Sequence, residues 1–145
     1  MEVVMKMEIK ETTMVKPATE TPRHVLWTSN LDQMVPKYIH IPTIHFYKPL
    51  SSVTDEGFFD PVKLKDALSK VLVPFYPVAG RLVDSSNPNG DRIEIDCNGE
   101  GVSLWWLKPT LWLMILPSPK LRALVPIVEY SIDISSHPLL LLQVL

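Results

Sequence analysis

From Leu68 to Leu82 the chain reads Leu-Ser-Lys-Val-Leu-Val-Pro-Phe-Tyr-Pro-Val-Ala-Gly-Arg-Leu. Pro74 and Pro77 bracket two aromatics, and a small-residue pair, Ala79-Gly80, follows. Proline fixes φ and has no N–H, so a helix entering this run ends at Pro74, and Val73 before it is biased toward an extended conformation. Gly80 permits a tight turn. Arg81-Leu-Val83 then begins a strand, and Phe75 and Tyr76 are expected to fill core. The run therefore reads as a structural helix–turn–strand joint. Arg81 is expected to pair with a carboxylate or a carbonyl rather than with substrate.

The entering helix has its own start signal. Asp60-Pro61 supplies a side-chain cap and then proline at the first helical position, where no N–H is needed. Leu64, Ala67, Leu68, Val71 and Leu72 recur at i, i+3, i+4, i+7 and i+8, one apolar stripe. Elsewhere the patterns are β-like. Met5, Met7 and Ile9 alternate with Lys6, Glu8 and Lys10, a half-buried strand. Residues 13–30 hold Pro17 and Pro22 among polar residues and read as an extended surface segment. Thr43-Ile-His-Phe-Tyr47, between Pro42 and Pro49, reads as a strand. Arg81–Val83 and Arg92–Asp96 flank Asn87-Pro-Asn-Gly-Asp91, a hairpin with Asn-Gly in its turn. Asn98-Gly-Glu-Gly101 is a second turn. Pro138–Leu145 is nearly all apolar, as in a strand buried on both faces.

The chain has 145 residues, enough for one domain with a core. Net charge is −2, which gives no electrostatic case for nucleic acid or an anionic membrane. One cysteine, Cys97, excludes an internal disulfide framework and fits a reducing compartment. The charged N-terminus has no apolar h-region, so no signal peptide is expected. The apolar run 104–116 is broken by Lys108 and Pro109 and falls short of the ~20 residues a spanning helix needs. A soluble, cytoplasmic protein is expected.

Five stretches together carry a family resemblance: Thr13-Met-Val-Lys-Pro-Ala-Thr-Glu-Thr-Pro22, Leu26-Trp-Thr-Ser-Asn-Leu-Asp32, Phe58-Phe-Asp-Pro61, Leu72-Val-Pro-Phe-Tyr-Pro-Val-Ala-Gly-Arg81 and Gly90-Asp-Arg-Ile-Glu-Ile-Asp-Cys-Asn-Gly-Glu-Gly101. Residues 121–144 fit as well. The chain resembles the plant BAHD acyltransferases, specifically the shikimate/quinate O-hydroxycinnamoyltransferases of phenylpropanoid metabolism. The resemblance implies an α/β fold, a chloramphenicol-acetyltransferase-like half-domain with a mixed β-sheet and one main helix at about 60–72. It implies transfer of a hydroxycinnamoyl group from acyl-CoA, a co-substrate, to a shikimate- or quinate-type alcohol, by a monomer with no bound cofactor or metal.

Acyl transfer to a hydroxyl needs a general base near that hydroxyl and a donor for the tetrahedral oxyanion. The family takes its base from a His-x-x-x-Asp motif. Four residues after His24, His40, His45 and His137 stand Thr28, Ile44, Pro49 and Leu141, none an aspartate. The expectation is an incomplete N-terminal domain, residues 1–145, without a catalytic residue, without the C-terminal domain, and inactive alone. Cys97 has no basic neighbour in sequence and reads as a strand-end thiol. Asp91, Glu94 and Asp96 alternate, as on a solvated strand face. Gly99-Glu-Gly101 lacks the lysine and helix start of a phosphate loop, and no Cys/His spacing suits a metal.

The segment with functional content is His40-Ile-Pro-Thr-Ile-His45. In the family the matching strand lines the acyl-acceptor pocket, and the resemblance carries that substrate-binding role onto His40, Thr43 and His45. Imidazole and hydroxyl groups suit a polyol, because each donates and accepts hydrogen bonds. The family usually has tyrosine where this chain has His45, and the register near Ile39 differs by a residue. The competing reading is ordinary strand residues with exposed imidazoles. Two non-enzymatic readings stand beside the acyltransferase: a half-domain that binds a ligand or an intact relative, and an inert pseudogene or gene-model product.

One segment departs from the family. Residues 103–116 hold three of the four tryptophans and show neither strand nor helix period. Relatives resemble Val-Leu-Phe-Val-Val-Ala-Glu-Ala-Asp-Ala-Met-Val-Asp-Asp-Phe here. Deleting one nucleotide from the second codon of a suitable coding sequence for that peptide yields residues 102–115. A frameshifted stretch is the expectation, with frame regained near Pro117. It would replace an acidic surface by an apolar, aggregation-prone one.

Overall fold

The computed structural model describes residues 7–48, 59–85, 92–109, 124–130 and 133–145. Six strands are present among them: β1 (Met7–Val15), β2 (Val25–Leu26), β3 (Arg81–Asp84), β4 (Ile93–Asp96), β5 (Val102–Pro109) and β6 (Leu141–Val144). The main helix is α1 (Pro61–Val71). Met5, the hairpin turn Asn87–Asp91 and residues 110–116 lie outside the described residues.

The strands form two three-stranded sheets, ordered β1-β5-β6 and β2-β4-β3. The first is mixed: β5 runs antiparallel to β1, with Val15 opposite Val102, and parallel to β6, with Leu104 opposite Leu142. A bulge between Ile9 and Glu11 shifts the β1 register. The second is antiparallel throughout, and β3–β4 is the hairpin expected from sequence.

Asp60 caps α1 as its type predicts, its carboxylate accepting from the N–H groups of Val62 (2.9 Å) and Lys63 (3.4 Å). The core lies where α1 meets the first sheet. Val15, Leu72, Ala79, Val102 and Leu104 are buried there, with Leu68, Val78, Leu140, Leu142 and Val144 packed around them. Lys65 of α1 also donates to Glu11 of β1 at 2.5 Å, which holds the Glu11 carboxyl below its ordinary range.

Five local expectations change. The apolar stripe of α1 is narrower than its periodicity suggests, since Ala67 and Val71 are exposed while Leu68 and Leu72 face the core. Pro74 does not throw the chain into an extended segment: turn geometry continues, and Phe75 N–H reaches Val71 C=O at 3.2 Å. The chain then makes a 3-10 turn at Tyr76–Ala79. Phe75 is exposed and Tyr76 half-buried, so neither ring fills the core. β6 is half-buried, because among the described residues it pairs with β5 alone and forms a sheet edge. Residues 103–109 lie in the central strand of their sheet, although their sequence shows no period of two. A central strand covered on both faces needs no alternation, and Ser103, Leu104 and Leu107 are all buried.

Gly80 is required for a reason other than the turn. Its φ is −86°, open to any residue, but a Cβ there would lie 2.3 Å from Asp96 C=O. Gly101 carries both constraints, with φ +101° and a Cβ position 2.4 Å from Val15 C=O.

Candidate functional site

The strand expected at Thr43–Tyr47 is absent. Residues 41–48 are exposed, irregular backbone. β-propensity is insufficient where no neighbouring strand supplies hydrogen bonds and no face is buried, and Pro42 removes a donor at the start of the segment.

His40 is the most constrained member of this segment. Its Nε2 lies 2.8 Å from Pro138 C=O, and its Nδ1 lies 2.7 Å from the Tyr130 hydroxyl. A carbonyl only accepts, so Nε2 carries the proton; in the neutral ring Nδ1 then accepts from Tyr130 O–H. The imidazole also stacks on the Tyr130 ring, centroids 5.7 Å apart and planes 17° from parallel. Tyr38 and His137 meet Tyr130 edge-on at 6.0 and 5.3 Å. Three rings thus gather around Tyr130. Nothing in the sequence signals this, since Tyr130 lies 90 residues from His40 and in no motif.

His45 belongs to another ring group. It stacks on Tyr47 at 6.4 Å, and Tyr47 meets Phe59 edge-on at 6.2 Å. Thr43 and His45 are both exposed. The three residues singled out from sequence therefore divide into one engaged imidazole and two groups open to solvent.

Cys97, Arg81 and Arg92 have structural roles. Cys97 is buried, its thiol pushed up by desolvation and then by Asp96, so it is a poor nucleophile. Arg81 is buried and donates from one guanidinium nitrogen to Gly80 C=O (2.7 Å) and Gly101 C=O (2.8 Å). Its Nε lies 3.1 Å from Glu100 but is angled away from a hydrogen bond, leaving an ion-pair contact. Burial pulls the guanidinium pKa down and Glu100 opposes it. Arg81 thus pairs with carbonyls and a carboxylate, as its sequence context suggests. Arg92 is committed too, its guanidinium 4.6 Å over the Trp27 ring and donating to Asn30 Oδ1 at 2.6 Å.

An open depression of about 690 Å³ runs along residues 16–23 beside Asn98 and Gly99. Lys16, Glu20 and Arg23 line it with charges of both signs, and no histidine or cysteine borders it. Among the described residues no cluster of three or more His, Cys, Asp or Glu could hold a metal ion. No described helix is long and apolar enough to cross a membrane.

A mixed sheet with one main helix packed against it is what the family resemblance implies, and both are present. Residues 5–145 match the sequence profile of the Transferase family, and the chain belongs to that family, the BAHD acyltransferases. It is 48% identical over 144 residues to shikimate O-hydroxycinnamoyltransferase of Nicotiana tabacum, covering 97% of this chain and 32% of that protein. Hydroxycinnamoyltransferase of Narcissus pseudonarcissus is 46% identical over the same shares. Rosmarinate synthase of Plectranthus scutellarioides is 46% identical over 96% of this chain and 31% of its own length. The crystal structure of vinorine synthase superposes with a TM-score of 0.68 and 31% identity, over 89% of this chain and 33% of that one. The fold is thus α/β and chloramphenicol-acetyltransferase-like. The chain spans about a third of the length of the relatives it matches.

Proposed function

We propose that these 145 residues form the N-terminal, acceptor-side part of a cytoplasmic acyl-CoA-dependent acyltransferase that moves a hydroxycinnamoyl group to a shikimate- or quinate-type alcohol. The observation that carries this reading is the 48% identity to shikimate O-hydroxycinnamoyltransferase across nearly the whole chain. Hydroxycinnamoyl-CoA:5-hydroxyanthranilate N-hydroxycinnamoyltransferase of Avena sativa is 42% identical, so an amine acceptor is the nearest competitor.

In this reading Thr43 and His45 offer hydroxyl and imidazole groups to the acceptor, and His40 lies in the same segment. His45 stands where the family usually has tyrosine, so its shorter ring leaves room for a different or larger polyol. A base deprotonates the acceptor hydroxyl as the oxygen attacks the thioester carbonyl. The tetrahedral oxyanion collapses, the C–S bond breaks, and coenzyme A leaves with the proton. In this reading the base comes from outside these 145 residues. No histidine of this sequence is followed four residues later by an aspartate, and both nitrogens of His40 are engaged.

The test is a chimera joining residues 1–145 to the complementary part of the Nicotiana tabacum relative, incubated with p-coumaroyl-CoA and shikimate or quinate. Ester formation is expected from the chimera, lowered at least tenfold by H45A, with none from the 145-residue chain alone. An inert but folded chimera, or ester from the 145-residue chain alone, refutes the reading.

Residues 103–116 are proposed to be a frameshifted stretch. The apolar side chains of its first half suit a central strand, which would let β5 tolerate the change. Genomic sequence across Ser103 tests it: a well-supported frame encoding the tryptophans, shared with relatives, is the contrary result.

A further inference from the structure

His40 is the best-connected side chain of its segment, yet as a ligand for a polyol it has nothing left to offer. Nε2 is committed to Pro138 C=O at 2.8 Å and Nδ1 to the Tyr130 hydroxyl at 2.7 Å, while one ring face stacks on Tyr130. Both partners belong to chain 90 or more residues away. Pro138 also bridges Arg81, the first residue of β3, and stands three residues before β6 begins. One imidazole therefore ties the irregular segment 41–48 to the backbone that feeds a strand of the first sheet.

That tie matters because, among the described residues, segment 41–48 has no strand pairing or buried face to hold it. A segment with few buried contacts and unpaired backbone samples many conformations unless its ends are fixed. A site built on it needs its first residue held by a rigid neighbour.

We propose that His40 is a positioning residue rather than an acceptor ligand: an Nε2-protonated imidazole clasp that anchors the Thr43–His45 segment to Tyr130 and Pro138. The inference rests on the acceptor-site reading above for its functional meaning, but the clasp itself is testable without a ligand. The titratable groups gathered at the clasp are Tyr130, which bonds the imidazole, and Tyr38 and His137, which meet the Tyr130 ring. His137 stacks edge-on to Tyr130 and offers the only other imidazole among the described residues of that face.

The experiment is nitrogen-15 NMR of the imidazoles in the 145-residue chain, with and without Y130F and with shikimate added. The clasp requires one imidazole, assigned to His40 by its loss in H40Q, to show a slowly exchanging proton on Nε2. Y130F, which keeps the ring and removes only the hydroxyl, shifts the Nδ1 resonance of that imidazole and leaves the Nε2 proton in place. Rapid averaging of the two His40 tautomers, or indifference of Nδ1 to Y130F, overturns the proposal. Shikimate is expected to move the His45 signals and to leave the His40 Nε2 proton unchanged. Redirection of that N–H from Pro138 C=O to shikimate, read as a shift of the His40 Nε2 resonance, would make His40 a ligand and overturn the clasp while supporting the acceptor site. If shikimate moves neither imidazole, the acceptor-site reading fails, and the Y130F response still decides the clasp.

Discussion

Gly101 sits where two structural demands coincide: its φ is +101°, and the place of a Cβ is 2.4 Å from Val15 C=O. Gly99 has only the first demand, with φ +68° and nothing nearer than 3.7 Å. Gly101→Ala should therefore destabilise by about 3 kcal/mol, strain and backbone shift together, and Gly99→Ala by about 1 kcal/mol. Urea midpoints of the two variants check the order; equal losses would mean that the approach to Val15 carries no cost. Arg81 permits a second comparison. Its head group satisfies the carbonyls of Gly80 and Gly101 inside the protein, whereas the Glu100 carboxylate is more than half exposed. Arg81→Ala leaves buried acceptors unpaired and should cost about 2–4 kcal/mol. Glu100→Ala removes a solvent-screened partner and should cost about 1 kcal/mol or less. A larger loss from Glu100→Ala than from Arg81→Ala would show that the ion pair, not the carbonyl contacts, stabilises this corner.

The α1 start shows what kind of feature sequence reveals. Asp60-Pro61 specifies a cap through chemistry contained in four consecutive residues, and the structure has that cap. Asp60→Ala should lower stability by about 1 kcal/mol, seen as a fall in urea midpoint, while Asp60→Asn should retain most of it; equal losses from both would argue against capping by the side-chain oxygen. The β3–β4 hairpin was legible for the same reason, since its pairing partners are close in sequence and its two flanks alternate. Thr43–Tyr47 has the composition of a strand without being one, because local β-propensity cannot report whether a partner strand is present. Residues 103–109 failed in the opposite direction. A strand with neighbours on both sides and cover on both faces loses its period of two, and its pairing with β1 lies about 90 residues away in the chain. The site divided along the same line. The family resemblance pointed to the 40–45 segment, but Tyr130 and Pro138, which engage His40, are joined to it only by the fold.

Between Trp27 and Tyr47 the chain exposes apolar side chains in unusual density: Trp27, Leu31, Met34, Ile41 and Phe46 each keep more than 60% of their surface in solvent. Monomeric proteins rarely leave such surface uncovered, and β6 adds a sheet edge with no second partner among the described residues. In relatives three times as long, such a surface has additional chain available to cover it. This is the observation favouring the second functional reading, a half-domain that associates with other acyltransferase chains. It also gives that reading a physical cost, because the same surface attracts copies of itself. The 145-residue chain should self-associate at micromolar concentration and bind a dye sensitive to exposed apolar surface, and sedimentation velocity should show the average mass rising with concentration. Replacing Ile41 and Phe46 by lysine should reduce both signals, since neither side chain is buried and their loss costs the core nothing. A wild-type chain that stays monomeric and binds no dye would overturn this reading. Self-association unaffected by the double substitution would instead move the adhesive surface to the open edge of β6, where a charged residue at Gln143 becomes the variant to make.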